Sequence, residues 1–501
     1  MTETVDESGG EARRPANRPT SVLSPELLPA SIALYTMVAL AAFEGLAVSA
    51  ALPQVAADLG DVSLLPWVVT GYLLMSGVAT VAAGPLLDSY GVRATFRVSV
   101  TLFVGGAVLA SFVPSMQWMI VARLIHGAGG GGIIAVALAA VALIYPPHLI
   151  GRAFAANSTV WGIMGVAGPG IAAFMLTTLS WRWIFLVNVP LGTIALAAGW
   201  RVMPGPVVAH PRRLDLPGLV GVLVFDACLL FAVDLLGPAS IPWVAASVVV
   251  AAGLWWHIRR SPDPIMLTRH LFRQPFASLA LSLALMVAGA IATSSYITLY
   301  VRGARGASEL LTAWSVFFFV IGWTLGANSS SRLMDRMAES TVMVIGFWLT
   351  APGMLALGVA VSVTAPLWVI LGLMTVTASG IGLATNAGLT LLRRVSGPDE
   401  IGRATAAHQF FRNQGFTLGA AMGGAVILAV VARAIGDLEA VREVLRTGIA
   451  DDPATAAAIA RGFASAVFVG SAAAVVGVVP LVALRRHLAS TGVDGGEPID
   501  P

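Results

Sequence analysis

The segment SIALYTMVALAAFEGLAVSAALP, residues 31–53, sets the first constraint on the fold. It is long enough to cross a bilayer, which takes about 20 predominantly apolar residues in a helix. Glu44 lies in its middle, where a charged side chain is energetically costly. Acids are kept at such positions when they exchange a proton or meet a cationic ligand. The segment therefore predicts a membrane helix with a functional carboxyl group.

The composition of the whole chain is that of a membrane protein. Hydrophobic residues make up 57% of the 501 residues, charged residues make up 11%, and the mean hydropathy is +0.85. Soluble domains are about 25% charged, so water is not the main solvent of this chain. The one cysteine, Cys228, excludes an intramolecular disulfide.

About fourteen apolar runs lie between residues 29 and 485, each long enough to cross a bilayer. All 29 basic residues are arginine. With the N terminus inside, about 20 of the arginines in and near the loops fall on the cytoplasmic side and about 7 fall outside. This bias predicts that both termini are cytoplasmic. Arginines spread over short loops do not indicate a nucleic-acid partner.

The loop after the second run reads GPLLDSYGVR, residues 84–93. Gly84 allows close approach of another helix, and Gly91 allows a tight turn. Asp88 can pair with an arginine or cap the N terminus of a neighbouring helix, and Arg93 ends the arrangement. The spacing predicts a conformational motif rather than an ordinary connector.

This loop resembles the GxxxD(R/K)xGR(R/K) signature of the major facilitator superfamily, although Ser89 and Val92 replace two of its basic residues. The end of the first run, EGLAVSAALP over residues 44–53, is similar to the acidic element of the drug:proton antiporters in that superfamily. Residues 180–192, SWRWIFLVNVPLG, resemble the junction typical of the antiporter family with fourteen spans.

The fourth run contains RLIHGAGG, residues 123–130, which is similar to the RxxQGxG motif of the same family with His126 at the glutamine position. Arg123, Gly127 and Gly130 fall on one helical face, so a buried guanidinium can lie beside a closely packed helix.

The fifth run contains GVAGPGIAA, residues 165–173, which resembles the antiporter motif GxxxGPxxGG. Gly165, Gly168 and Pro169 would allow this helix to bend and to slide against a neighbour, as rocking carriers require.

The resemblance covers residues 35–484 and implies an all-α membrane protein with the major facilitator fold. Two six-helix bundles and an inserted helix pair would give fourteen transmembrane helices, with both termini cytoplasmic and the substrate cavity between the bundles. The implied divisions are a disordered cytoplasmic tail at 1–27, an N-terminal bundle at 28–204, the inserted pair at 205–260, a C-terminal bundle at 261–487 and a second disordered tail at 488–501.

The energy source is expected to be a proton gradient, with no cofactor. The sequence has neither a GxxxxGK(S/T) phosphate loop nor a His-Glu-x-x-His metal motif. In the coupling hypothesis, Glu44 takes up a proton and so loses its pairing with Arg123 or with a cationic drug. This requires a water path to Glu44. The alternative is that Glu44 is a static partner of a buried arginine, and His126 is either a second titrating group or a packing residue.

Six further residues are candidates for the substrate cavity, because aromatic walls with a few polar groups suit amphipathic ligands. Arg412 could contact an anionic substrate, lock a gate or anchor the inner face. Asp226 could recognise a cation or serve a structural role, and each of the others could be a packing residue. The six are Tyr296, Trp314, Phe318, Asn386, Arg412 and Asp226.

The leading interpretation is a proton-coupled antiporter that exports amphipathic or hydrophobic drugs, antibiotics or dyes across the cytoplasmic membrane. The alternative keeps the fold but exports an endogenous lipid, siderophore or metabolite. A membrane anchor or sensor would have no use for a mid-membrane acid beside a glycine–proline helix, and an enzyme would need a catalytic domain. The expected partners are the small-molecule substrate and the bilayer, without nucleic acid, and a monomer is expected.

Overall fold

The computed structural model describes residues 19–61, 64–205, 214–235, 237–397, 399–435 and 452–492. These residues form helices joined by turns, without a strand in this part of the chain, which confirms the predicted all-α fold. The helices are α1 (Leu28–Leu59), α2 (Leu65–Ser111), α3 (Met116–Ile144), α4 (Pro147–Thr178), α5 (Arg182–Leu186), α6 (Asn188–Gly199), α7 (Leu216–Leu235), α8 (Ile241–Arg260), α9 (Thr268–Phe272), α10 (Phe276–Leu299), α11 (Glu309–Met334), α12 (Glu339–Ser362), α13 (Leu367–Val395), α14 (Ile401–Ile435), α15 (Pro453–Val476) and α16 (Val478–Ser490).

Among the described residues, eleven helical segments are long and apolar enough to cross a membrane. One of them, Trp67–Ser111, has 45 residues and is divided by Gly91, whose φ of 77° and ψ of 170° are not helical. Glycine adopts this conformation without the steric strain of a side chain, as the predicted turn requires. The apolar stretch Leu216–Ala232 is shorter, and α11 is not among the eleven. The predicted number of fourteen spans therefore stays a prediction.

Residues 19–27 of the predicted N-terminal tail, residues 1–27, are among the described residues. Leu27 is buried, and the Ser31 hydroxyl donates to the carbonyl of Val22 at 2.5 Å and lies 2.6 Å from the hydroxyl of Tyr145. Apolar side chains in this stretch can thus cover the start of α1. At the other end α16 continues to Ser490, beyond the predicted start of the tail at 488. Residues 1–18, 206–213 and 493–501 lie outside the described residues.

Two groups of helices have separate apolar cores. Buried side chains such as Phe96 and Phe103 fill the first, within α1–α6, and Tyr300 stacks on Phe463 at 5.0 Å between ring centroids in the second, within α10–α16. Helices α7 and α8 pack on each other. Because α7 also contacts α2 of the first group and α14 of the second, this pair touches both bundles.

The bundles are joined at the end of the molecule where α1, α4 and α14 begin, which we call the inner end. Asp88 accepts hydrogen bonds from the backbone amides of Gly402 (2.7 Å) and Arg403 (3.1 Å) and pairs with the Arg403 guanidinium at 2.9 Å. It therefore caps α14 and supplies the counter-charge for a buried arginine. A Cβ atom at Gly84 would lie 2.7 Å from that of Ala406, so glycine permits this close approach.

Further polar contacts surround this cap at the inner end. Arg393 donates to the carbonyl of Ala142 at 2.6 Å, and the half-exposed side chains of Arg152 and Asp335 lie 3.4 Å apart. Arg93 instead donates to two carbonyls that follow α6, at 2.8 and 3.1 Å, and so stays within the first bundle. Among the described ion pairs, the Asp88 cap is thus the buried one that joins the bundles at this end.

We expect Asp88→Asn to loosen the inner end. Removing one partner of a buried ion pair typically costs about 3–5 kcal/mol, because the remaining charge is left uncompensated. The measurement is the distance distribution between spin labels on cysteines introduced at positions 152 and 335, in a Cys228→Ser background. The two labelled cysteines replace the exposed ion pair of Arg152 and Asp335, which contributes little to the stability of the inner end. Asp88→Asn should move the distribution to longer distances, whereas Tyr90→Phe, in the same loop, should not. An unchanged distribution in Asp88→Asn would contradict a closing role.

Candidate functional site

A buried charge cluster lies inside the first bundle, where α1 meets α3. The Arg123 guanidinium is hydrogen-bonded to Glu44 Oε1, lies 3.1 Å from His126 Nδ1, and donates from Nε to the carbonyl of Val68 at 2.7 Å. His126 Nε2 lies 3.8 Å from Glu44 Oε2. The sequence placed these three titratable residues in one predicted coupling group, and the structure brings them into contact.

Aromatic rings enclose this cluster. The Arg123 guanidinium lies 4.4 Å from the centroid of the Tyr72 ring, and the His126 ring lies 4.2 Å from that of Phe103. Glu44 is 2% exposed, and its Oε2 atom has no hydrogen-bond partner. In the described conformation Glu44 is therefore enclosed by its counter-charge and by aromatic rings, whereas the coupling hypothesis requires that water reach it. This geometry matches the alternative of a static partner for the arginine.

The close packing of α3 on α2 positions the cluster. A Cβ atom at Gly127 would collide with the backbone of Tyr72, and one at Gly130 would collide with the Tyr72 hydroxyl. The two glycines follow Arg123 along one face of α3, as their spacing predicts. Only glycine lets the Tyr72 ring lie over the Arg123 guanidinium at this helix separation.

A second site is a cavity of about 450 Å³ between the two bundles. Its described lining comes from α1, α3 and α4 on one side and from α10, α11, α13 and α14 on the other. Polar groups are few: they include Asn157, Asn386, Arg412 and Asn413. The rest of the wall is mainly apolar and aromatic, including Phe154, Trp161, Phe319, Trp323 and Phe416.

Several polar atoms at this cavity have no hydrogen-bond partner. Asn157 is 6% exposed, and both atoms of its amide group are unpartnered. The same is true of Arg412 Nε and of Asn386 Oδ1, although Asn386 Nδ2 donates to the carbonyls of Ala327 at 2.8 Å and Gly151 at 3.3 Å. Because unmet buried groups are costly, these atoms beside the cavity need a hydrogen-bond partner that the described contacts do not supply.

Two of the six predicted cavity residues, Asn386 and Arg412, line this cavity. Trp314 and Phe318 are not among its described lining residues, because α11 presents another face to it. Tyr296 donates to the carbonyl of Ala420 at 3.0 Å, and Asp226 contacts Gln414 outside the cavity. The residues of α11 that do line the cavity are Val316, Phe319, Val320, Trp323 and Thr324.

Sequence reasoning missed Asn157, Trp161, Trp323 and Phe416. The available signal was helical spacing, since positions 316, 319, 320 and 323 repeat with the period of one helix face. In α11 apolar residues surround the helix on most sides, so this period alone does not show which face meets the cavity.

The glycine–proline motif lies in α4, and its first glycine faces the second bundle. A Cβ atom at Gly165 would lie 2.9 Å from Val320 Cγ1 of α11. Gly168 is buried, and Pro169 lies within the helix. The motif thus allows close packing of α4 on α11 beside the cavity, and its bending remains a prediction.

The chain is similar to known transporters. A family model described as the Major Facilitator Superfamily matches residues 33–435. Multidrug resistance protein 3 of Bacillus subtilis (strain 168) is 25% identical over 407 residues, with 79% of this chain and 79% of that protein covered. The tetracenomycin C resistance and export protein of Streptomyces glaucescens is 27% identical over 452 residues, with 87% and 81% covered.

The fold is also found among solved structures. A bacterial homologue of the iron transporter ferroportin has a TM-score of 0.63 to this chain at 10% sequence identity. The comparison covers 91% of this chain and 99% of that one. At this identity the likeness concerns the fold alone.

We expect Glu44→Gln to lower the free energy of unfolding by about 3–5 kcal/mol, because it leaves the Arg123 charge buried without a partner. Chemical denaturation in detergent measures the effect. The double variant Glu44→Gln/Arg123→Met should recover most of the loss, since it removes both charges. Ile32→Ala, at an exposed position of the same helix, is the control. A stable Glu44→Gln single variant would show that the ion pair does not support the bundle.

Proposed function

Because the chain belongs to the major facilitator superfamily, we propose that it is a proton-coupled antiporter that exports amphipathic or hydrophobic small molecules by alternating access. We place this multi-pass membrane protein in the cytoplasmic membrane, where it acts as a monomer. The names of two relatives, a multidrug resistance protein and a tetracenomycin C resistance and export protein, support an efflux role.

The observation that carries the proposal is the cavity between the bundles. Large aromatic and aliphatic side chains supply most of its described wall, and a few polar side chains interrupt it. A wall of this kind binds ligands with a broad apolar body and orients them through a small number of hydrogen bonds. The Asp88 cap closes the inner end, so release of a ligand to the opposite side would complete one half of a transport cycle.

The charge of the cavity narrows the substrate class. Among the described residues that line it, Arg412 is the only charged side chain. The positive charge of this guanidinium would repel an amphipathic cation, and no carboxylate in the described wall would balance that repulsion. A neutral or anionic aromatic compound could accept hydrogen bonds from Arg412 and Asn157. We therefore propose neutral and anionic amphipaths as the preferred cargo, in place of the cationic drugs that the coupling hypothesis included.

Proton coupling is part of the proposal, and Glu44, Arg123 and His126 are its candidates from the sequence. A proton on Glu44 would neutralise the carboxylate that holds Arg123. Since the pair is enclosed in the described conformation, this exchange requires another conformation in which water reaches the cluster. Coupling of this kind links the proton to the movement of the bundles, because the two conformations bind the proton with different affinities.

Transport by inside-out membrane vesicles tests the proposed cargo. An acidic vesicle interior should drive uptake of N-phenyl-1-naphthylamine and of 8-anilinonaphthalene-1-sulfonate, which differ by one sulfonate, more strongly than uptake of ethidium. Arg412→Gln should reduce uptake of the sulfonate by roughly tenfold or more relative to the neutral dye, because a hydrogen bond to a charged group contributes about 1.5–3 kcal/mol. Arg412→Lys should retain part of the preference.

The matched control for this assay is Leu418→Ala, an exposed position of the same helix, which should leave the ratio of the two dyes unchanged. An equal loss of both dyes in Arg412→Gln would exclude a role in charge selection. If no dye accumulates in response to the pH difference, the proposed function is wrong for this class of cargo.

Reaction with dicyclohexylcarbodiimide, which modifies protonated carboxyl groups in apolar sites, tests the coupling cluster. We expect Glu44 to react faster during proton-driven transport of a dye than at rest, because turnover would expose and protonate it. Mass spectrometry of the peptide that contains Glu44 gives the rate, and Glu44→Gln gives the background. Equal rates in the two conditions would support the static ion pair.

A further inference from the structure

We propose that Asp226 is a second proton-binding carboxyl group of this transporter, at the point where the inserted helix pair contacts both bundles. The proposal rests on the proposed proton-coupled transport for its role, but its chemical basis is independent of the cargo. Glu44 is enclosed by its counter-charge, whereas Asp226 has a neutral partner.

The position of Asp226 makes an ionised carboxylate costly. It is the eleventh of the 20 residues of α7, so each helix end lies roughly 15 Å away at about 1.5 Å per residue. In the predicted fourteen-span arrangement, in which α7 crosses the bilayer, this is near the midplane of an apolar core about 30 Å thick. A charge at this depth requires a counter-charge, access to water or a bound proton.

The contacts of Asp226 come from both bundles. Its Oδ1 atom accepts a hydrogen bond from Gln414 Nε2 of α14 at 2.8 Å. Its Oδ2 atom lies against Gly77 of α2, where an added Cβ atom would be only 2.6 Å away. Beside it, the rings of Phe225 and Phe410 lie 6.1 Å apart. The carboxyl group thus occupies a three-helix junction with an aromatic neighbour.

None of the described ion pairs gives Asp226 a cationic partner. Several charged and titratable groups on the three helices that pack against α7 have other described contacts. On α2, Arg93 and Arg97 donate to carbonyls after α6, and Asp88 pairs with Arg403 of α14. On α8, His257 pairs with Asp215. The remaining groups are Tyr72 and Tyr90 on α2, Arg259 and Arg260 on α8, and His408, Arg412 and Arg433 on α14.

The Gln414 amide is suited to a protonated acid. Its Oε1 atom is buried without a hydrogen-bond partner, while its Nε2 atom already donates to Asp226. A carboxylic acid and a primary amide can form two hydrogen bonds at once, and the second requires the proton of the acid as donor. Proton binding at Asp226 would therefore remove the isolated charge and supply a donor for the unpartnered amide oxygen.

The same contact gives the proton an effect on the transport cycle. Gln414 follows Asn413 and Arg412, which line the cavity, on the helix whose first residues meet Asp88. The protonated form favours the junction as described, and the ionised form favours a conformation in which water reaches Asp226. A proton that discriminates between two conformations in this way shifts their populations.

Infrared spectroscopy of the purified full-length protein tests the protonation without any cargo. Near neutral pH, the spectrum of the wild type minus that of Asp226→Asn should contain the C=O stretch of a protonated carboxylic acid. Asp226→Glu should shift this band rather than abolish it, and Val224→Ala, at a lipid-exposed position of α7, should leave it unchanged. Absence of the band from the wild-type difference spectrum would overturn the proposal. If Asp226→Asn does not fold, the shift of the C=O band between the wild type and Asp226→Glu tests the protonation instead.

Transport in vesicles tests the coupling. With Asp226→Asn, dye should still exchange across the membrane when the pH is the same on both sides, because the introduced amide oxygen can still accept a hydrogen bond from Gln414. The accumulation of N-phenyl-1-naphthylamine driven by a difference of about one pH unit should fall roughly tenfold, since each coupled proton contributes about 1.4 kcal/mol there. Wild-type accumulation in Asp226→Asn would overturn the coupling role. If the wild type itself shows no pH-driven accumulation, the proposed function fails, while the infrared band still decides the protonation of Asp226.

Discussion

The buried pairing of charges is the constraint on which the rest of this structure depends. A charged guanidinium or carboxylate in the apolar interior is costly without a counter-charge, and the chain provides one for Arg123 and another for Arg403. The first pair lies within a bundle and fixes how α1 meets α3. The second joins the bundles, so the same physical rule serves packing within one bundle and the contact between the two bundles.

Helix α14 connects the regions with proposed roles. Its first turn is capped by Asp88, its middle presents Arg412 and Asn413 to the cavity, and the next residue, Gln414, meets the inserted pair. A rigid helix transmits a displacement at one of these points to the others without a chain of specific side-chain contacts. Helix α7 therefore contacts the same helix that lines the cavity.

The sequence was sufficient for features that depend on local pattern. Apolar runs predicted the helices, and the glycine and acid of the 84–93 loop predicted a close approach and a cap. The partner in that cap, Arg403, lies more than 300 residues away along the chain, so no local pattern identifies it. The contact of Glu44 with Arg123 followed from motifs in two helices, but the enclosure of the pair by Tyr72 and Phe103 depends on tertiary packing.

The residues that line the cavity were likewise only partly predictable from the sequence. Trp314 and Phe318 were reasonable choices by residue type, but the face of α11 that meets the cavity is set by its packing on α4 and α13. Asp226 was recognisable as an unusual membrane acid, yet its neutral partner on α14 was not. The fold is thus predictable from hydropathy and motifs, whereas the chemistry of the site depends on helix rotation.

The two ion pairs across the inner end differ in their environment. Arg152 and Asp335 are about half exposed, whereas the side chains of Asp88 and Arg403 are each 3% exposed. Dissolved ions screen the former readily and the latter hardly at all. The buried contact between the bundles should therefore be insensitive to the salt content of the surrounding fluid, whereas the exposed pair at its rim should weaken as salt increases.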